Sequence, residues 1–184
     1  MEHNVETFIS LSSPQNGQFG EPTDIQKSLG SSFGDKCSLW KYFYKFTGQL
    51  LSVANYWRDP YHLDEYAKYS DYLAHLNGES VKNSTVDPQW KINFTKVNQL
   101  ITIGGPDDGV IEPWQSAHFS NYVEGNDKVV KPYDQFDFYK NDVFGLKTMD
   151  DAGRWQRIVK KGVEHSQWIR NTEIIMELIV PYLV

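Results

Sequence analysis

The sequence predicts an α/β fold: a short parallel sheet interrupted by a helical insertion. Two β-branched apolar runs, residues 7–13 and 97–103, stop abruptly at Pro14 and at Gly104-Gly105-Pro106, as buried strands do. Between them, aromatic residues recur at helical spacing from 24 to 77. A weakly alternating run at 154–160 then precedes a closing helical period at 172–183. Strands alternating with helices imply helices packed on a sheet. Three strands are few for such a domain, so the sheet is expected to be incomplete.

Residues 7–13 open the chain almost directly on a core strand, and such a strand needs neighbours on both sides. Gln15-Asn16-Gly17-Gln18-Phe19-Gly20 reads as a loop punctuated by glycine. Within 24–77, Trp40, Phe43, Tyr44, Phe46, Leu50 and Leu51 form one helical pattern. After the break at Pro60, Tyr61, Leu63, Tyr66, Tyr69, Tyr72 and Leu73 form another. Two or three short amphipathic helices are expected. Two readings of them are open: a layer packed on the core, or a cap whose aromatic face lines an apolar groove.

The stretch from Asn77 through Asn83-Ser84-Thr85 and Asn93-Phe94-Thr95 reads as a polar loop. Both triplets match the glycosylation acceptor pattern. After Pro113, residues 114–122 can start a short helix. Phe136, Phe138, Tyr139, Val143 and Phe144 read as core anchors. Residues 154–160 read as an edge-like strand, and in the last helix Ile174, Ile175, Leu178 and Ile179 share a face.

A chain of 184 residues is long enough for one domain with a real core. A net charge of −6 argues against a general nucleic-acid binder. No run approaches the roughly 18 apolar residues that span a bilayer. The start, Met1-Glu2-His3-Asn4-Val5-Glu6, lacks the basic end and apolar core of a signal peptide. Two acceptor triplets without a leader lead to the expectation that the front of the gene product lies upstream. Cys37 is the sole cysteine and is expected to be a small buried hydrophobe. His3, His62, His75 and His118 have no metal-ligand spacing, and no cofactor fingerprint is present.

The chemistry concentrates at two loops. Asp107 and Asp108 follow the second strand, and His165 follows the third. Asp in a turn is also ordinary turn chemistry, and a loop histidine can simply be a surface residue. What favours catalysis is the order: strand, loop with Asp, helix, strand, loop with His, helix. The last third of an α/β-hydrolase is laid out in that way, with its triad running Ser, then Asp, then His. The Asp would hold the ring and stabilise the imidazolium, and the His would take the nucleophile's proton. A Gly-x-Ser-x-Gly pattern occurs at Gly30-Ser31-Ser32-Phe33-Gly34. It lacks the buried strand that an elbow requires, so Ser32 reads as part of a polar loop.

Five blocks resemble the palmitoyl-protein thioesterases, on their lysosomal thioesterase 2 branch. They are Phe8-Ile9-Ser10-Leu11-Ser12-Ser13-Pro14-Gln15, Asn55-Tyr56-Trp57-Arg58-Asp59-Pro60, Gly104-Gly105-Pro106-Asp107-Asp108-Gly109-Val110-Ile111, Pro113-Trp114-Gln115-Ser116 and Phe144-Gly145-Leu146-Lys147-Thr148. The resemblance implies that residues 1–184 form the C-terminal portion of an α/β-hydrolase domain, with 21–80 as the helical cap insertion that receives a fatty chain. It places the catalytic Asp on Asp108 and the catalytic His on His165, and it puts the nucleophilic Ser before the first strand and outside this chain. It moves Ser32 into the insertion, and Asn83 and Asn93 become the glycosylation candidates. It implies a lysosomal hydrolase of fatty acyl thioesters (S-acylated protein, peptide or acyl-CoA) with no cofactor or metal. The lone Cys37 departs from the disulfide-bearing pattern of vertebrate relatives. These 184 residues alone are expected to be inactive. The alternatives are a non-catalytic fragment or apolar-ligand module, or an ester hydrolase of the same fold. An exposed half-sheet would also offer an edge for pairing with another copy.

Overall fold

The computed structural model describes residues 4–20, 36–82 and 86–183. Its centre is a three-stranded parallel sheet of β1 (Thr7–Leu11), β2 (Gln99–Gly104) and β5 (Trp155–Val159), in the order β1-β2-β5. Ile9 faces Ile101 across the first pairing, and Thr102 faces Arg157 across the second. Because all three strands run the same way, the loops that follow them leave from one edge of the sheet.

The period of two is plain on β2. Leu100 joins Val97, Phe119, Phe136, Phe138, Leu146, Met149 and Trp155 on one face. Ile101 and Ile103 join Val163, Trp168, Ile174 and Leu178 on the other. A strand covered on both faces is a continuous apolar run, which is why residues 100–103 were legible. The outer strands differ. Phe8 of β1 is 45% exposed, and β5 buries only Trp155 fully. Among the described residues β1 is therefore an edge strand, paired only with β2.

Residues 36–82 hold four short helices: α1 (Trp40–Phe43), α2 (Ser52–Tyr56), α3 (Leu63–Tyr69) and α4 (Leu73–Leu76). They enclose a core of their own, with Phe19, Leu39, Phe43, Tyr44, Ala54, Trp57, Tyr66 and Ala74 buried. The predicted period does not carry through: Phe46 is 82% and Leu50 76% exposed. The chain turns between α1 and the 3₁₀ turn at Gly48–Leu50, so these side chains lose their phase.

Residues 88–94, read as loop, instead form α5 (Pro88–Phe94). Asp87 caps it by accepting from the Gln89 amide at 2.8 Å, and Pro88 fills the first helical position, where no amide hydrogen is needed. The expected helix after Pro113 shortens to a 3₁₀ turn, Trp114–His118. A two-stranded ribbon, β3 (Asn121–Tyr122) with β4 (Val130–Lys131), follows. Then come α6 (Asp137–Lys140), α7 (Leu146–Asp151) and, after β5, α8 (Thr172–Leu178). Cys37 is exposed, which corrects the buried reading: it sits in a 3₁₀ turn before α1 that contributes no buried residue.

A polar knot ties the loop after β1 to the turn after β2. Ser116 Oγ donates to the Gly17 carbonyl at 2.5 Å and accepts from the Asn16 amide at 3.2 Å. The Asn16 side-chain amide donates to the Phe119 carbonyl at 2.9 Å, and that of Asn121 to the Asn16 carbonyl at 2.5 Å. Asn16, Ser116 and Asn121 are fully buried. Most groups buried at this depth are paired, and here only the Asn16 side-chain oxygen lacks a partner.

Candidate active site

Asp108 and His165 meet at the carboxyl edge of the sheet. β2 ends at Gly104, and Gly105 then passes so close to the Lys160 carbonyl that a Cβ there would overlap its oxygen. Only glycine permits that approach. It brings the loop after β2 against the loop after β5, and the contact is reinforced three times. The Lys160 amide donates to the Gly104 carbonyl at 3.0 Å, and the His165 amide to the Asp108 carbonyl at 2.9 Å. The Gly162 amide donates to Asp107 Oδ2 at 2.7 Å. Asp107 is thus a brace between the loops. Gly109 turns the chain at φ +74°.

The Asp108 carboxylate is fully buried. Its Oδ1 accepts from the amides of Val110 at 3.1 Å and Ile111 at 2.8 Å. Its Oδ2 accepts from Ser12 Oγ at 2.6 Å and Trp168 Nε1 at 2.7 Å. His165 Nδ1 lies 3.0 Å from Oδ1 and 2.9 Å from Oδ2. Burial alone would raise the Asp108 pKa. The donors from Ile111, Ser12, His165 and Trp168 outweigh it and hold the carboxyl below its ordinary value. An ionised, crowded carboxylate on Nδ1 fixes the ring with Nδ1 as the donor. Nε2 is then the basic atom, on the far side of a side chain that is 41% exposed. The arrangement suits a group that takes a proton from an approaching nucleophile and keeps the resulting charge beside a carboxylate.

Both Asp108 and His165 stand where the sequence puts them. The Gly-x-Ser-x-Gly serine, Ser32, and the acceptor Asn83 lie outside the described residues. Asn93 sits on α5, partly exposed, with its side-chain oxygen accepting from Gln89. Sequence reasoning missed Ser12 and Trp168. Ser12 follows β1 at φ +39°, a left-handed conformation unusual for a residue with a Cβ. A polar residue just past a parallel strand, at the edge where Asp108 leaves, was the available signal. Trp168 stands three residues after His165, one turn along, so its indole returns to the same carboxylate.

His118 is not a loose residue of the turn. It is buried, with Nδ1 2.8 Å from Thr102 Oγ1, which also accepts from Trp155 Nε1 at 3.0 Å. Burial, helped by the Arg157 charge, lowers its pKa to about 4. Among the described residues no cluster of three or more His, Cys, Asp or Glu could hold a metal ion, and no helix is long and apolar enough to cross a membrane.

The palmitoyl protein thioesterase family model matches residues 1–165. The human lysosomal thioesterase PPT2 is 43% identical over 183 residues, covering 99% of this chain and 58% of the human protein. The Drosophila melanogaster lysosomal thioesterase PPT2 homolog is 40% identical over 182 residues, covering 99% of this chain and 61% of its own length. Palmitoyl-protein thioesterase 3 of Dictyostelium discoideum is 37% identical over 155 residues, 82% of this chain and 49% of that protein. The chain therefore spans about three fifths of the length of the first two relatives.

Proposed function

The chain belongs to the palmitoyl protein thioesterase family, and from that premise we propose that it carries the Asp and the His of a Ser-Asp-His fatty acyl thioester hydrolase. The observation that carries the proposal is the contact of His165 Nδ1 with the buried, fully donor-saturated Asp108 carboxylate. His165 Nε2 takes the proton of a serine hydroxyl as its oxygen attacks the thioester carbon. The carbon–sulfur bond breaks, the sulfur leaves with that proton, and an acyl-serine remains. Water, deprotonated by the same Nε2, releases the fatty acid and restores the serine.

We place that serine outside these 184 residues. Among the described residues, Ser12 is the serine hydrogen-bonded to the pair, and its hydroxyl points at Asp108, not at the ring. The oxyanion donors are assigned to the same absent segment. The residues present are then the C-terminal portion of an α/β-hydrolase domain with 21–80 as its cap. An apolar hollow of about 290 Å³ among Leu73, Leu76, Trp90, Phe94, Phe119 and Phe144 is the proposed seat of the acyl chain. Gln15, from the loop after β1, also lines it. The larger hollow between α1 and α3 mixes the rings of Trp40, Tyr44, Phe46 and Tyr69 with Lys41, Lys45, Asp64, Glu65 and Lys68, and the charges make it suit a fatty chain less well. The names of the relatives, together with acceptor sites at Asn83 and Asn93, support a lysosomal setting.

Hydrolysis of palmitoyl-CoA tests this. A form extended at its N-terminus to include a Gly-x-Ser-x-Gly elbow is expected to turn over, and the 184-residue chain is not. In the extended form His165→Ala should cost about 10⁴-fold or more in kcat. An active His165→Ala variant would end the proposal.

A further inference from the structure

A second site lies apart from Asp108 and His165. Arg58 leads from α2 toward α3 and is only 4% exposed. Its Nη2 donates to Glu79 Oε1 at 2.8 Å. Its Nε and Nη1 are buried without a hydrogen-bond partner, as are Glu79 Oε2 and the Tyr66 hydroxyl. All three residues line one cavity of about 440 Å³, between α3 and the segment that carries β4 and α6. A buried guanidinium donor left unmade carries its full desolvation cost, and Arg58 has two such donors.

The surroundings are cationic at depth. The guanidinium lies between the rings of Tyr66 and Phe136, at 5.4 and 5.2 Å from their centroids. The Lys131 ammonium stands 4.5 Å from the centroid of the same Phe136 ring. Glu79 offsets one of these two charges and leaves the other. Burial would lower the Arg58 pKa, but the Glu79 charge prevails and it is raised. The Tyr66 hydroxyl is pushed well above its usual value, first by burial and then by Glu79, so it stays protonated beside that carboxylate. Glu124 and Asp137, both exposed, line the outer part. Their charges disfavour a large polyanion at the mouth.

We propose that this cavity binds a small oxyanion, a phosphate or a carboxylate group, held by Arg58 Nε and Nη1, with Lys131 supplying the compensating charge. Side-chain Nε–H NMR of the folded chain tests it, with Arg58→Lys serving only to assign the Arg58 resonance. Inorganic phosphate and acetate are titrated separately, and chloride at matched ionic strength is the control. The expected result is a saturable shift of the Arg58 resonance with one or both oxyanions and none with chloride. Phosphate alone responding assigns a phosphate ligand, and acetate alone a carboxylate. Lys131→Gln should weaken the affinity about threefold. No saturable shift, a shift that chloride reproduces, or an affinity indifferent to Lys131→Gln would overturn the site.

Discussion

Asp108 and Arg58 are both buried charges, and their surroundings are opposites. The Asp108 carboxylate accepts from two backbone amides, a hydroxyl, an indole and an imidazole. The Arg58 guanidinium has one carboxylate oxygen and two aromatic faces, with two nitrogens unmade. A saturated charge is pinned: it can hold a neighbouring ring in one orientation and one tautomer, as a proton-transfer pair requires. An undersaturated one remains able to accept a ligand. The same rule, that buried polar groups must be paired, thus marks one region as positioned and the other as receptive.

The largest effect that would break this contrast is at the pinned pole. In the extended form, Asp108→Asn should leave the fold intact and lower kcat by about 10⁴-fold, because the amide no longer holds Nδ1 as donor. Full activity in that variant would show that saturation there is merely structural. Gly105→Ala attacks the approach of the two loops. A Cβ against the Lys160 carbonyl has nowhere to go, and the loss should reach about 3 kcal/mol or more in urea denaturation. A loss below about 1 kcal/mol would mean that the loops give way easily.

His118 is the intermediate case, with Nδ1 shared with Thr102 and Nε2 buried without a partner. Its folded pKa of about 4 lies below the unfolded value of about 6.5. Between those values the unfolded chain takes up a proton that the folded one refuses. Its contribution to stability is therefore present above about pH 6.5 and is lost as the pH falls toward about 4, by roughly 3 kcal/mol. His118→Gln should remove most of that slope, read as the difference from the parent in urea midpoints at pH 4.5, 5.5 and 7 (about those values). An unchanged slope would show that the ring charges without cost.

The smallest effects sharpen the comparison. Trp168→Phe and Ser12→Ala each remove one donor to Asp108, so each should raise its pKa, with an activity loss of roughly tenfold in the extended form. Asp108 is lowered in the parent, so its stabilising charge persists above the unfolded value of about 3.9 and is lost only as the pH falls through the lower, folded pKa. Both variants should therefore lose stability at a higher pH than the parent does. Carboxyl NMR of Asp108 would follow it directly, and an unmoved pKa would dismiss both residues as positioning groups.

How much of this was legible follows from the range of the contacts. Residues 100–103 declared a doubly covered strand by composition alone, and Gly104-Gly105-Pro106 declared its end. That Asp108 and His165 would meet was legible because parallel strands deliver their loops to one edge. Ser12 was not found, since its partner lies 96 residues away and nothing local distinguishes it from Ser13. Arg58 was quoted only as part of a block, because no local pattern announces that a charged side chain will be covered by Tyr66 and Phe136. Cys37 and the α5 segment failed for a local reason: short turns and a single Asp-Pro cap decided what hydrophobicity could not.

The stitching of the two loops has a consequence for biosynthesis. Ser12 and Asp108 emerge from the ribosome well before His165 and Trp168, and until β5 docks there is neither imidazole nor indole beside the carboxylate. A chain that stopped before β5 would keep β1 and β2 yet hold neither of these two rings against Asp108. The buried carboxylate therefore acquires its last two donors only when the third strand has joined the sheet.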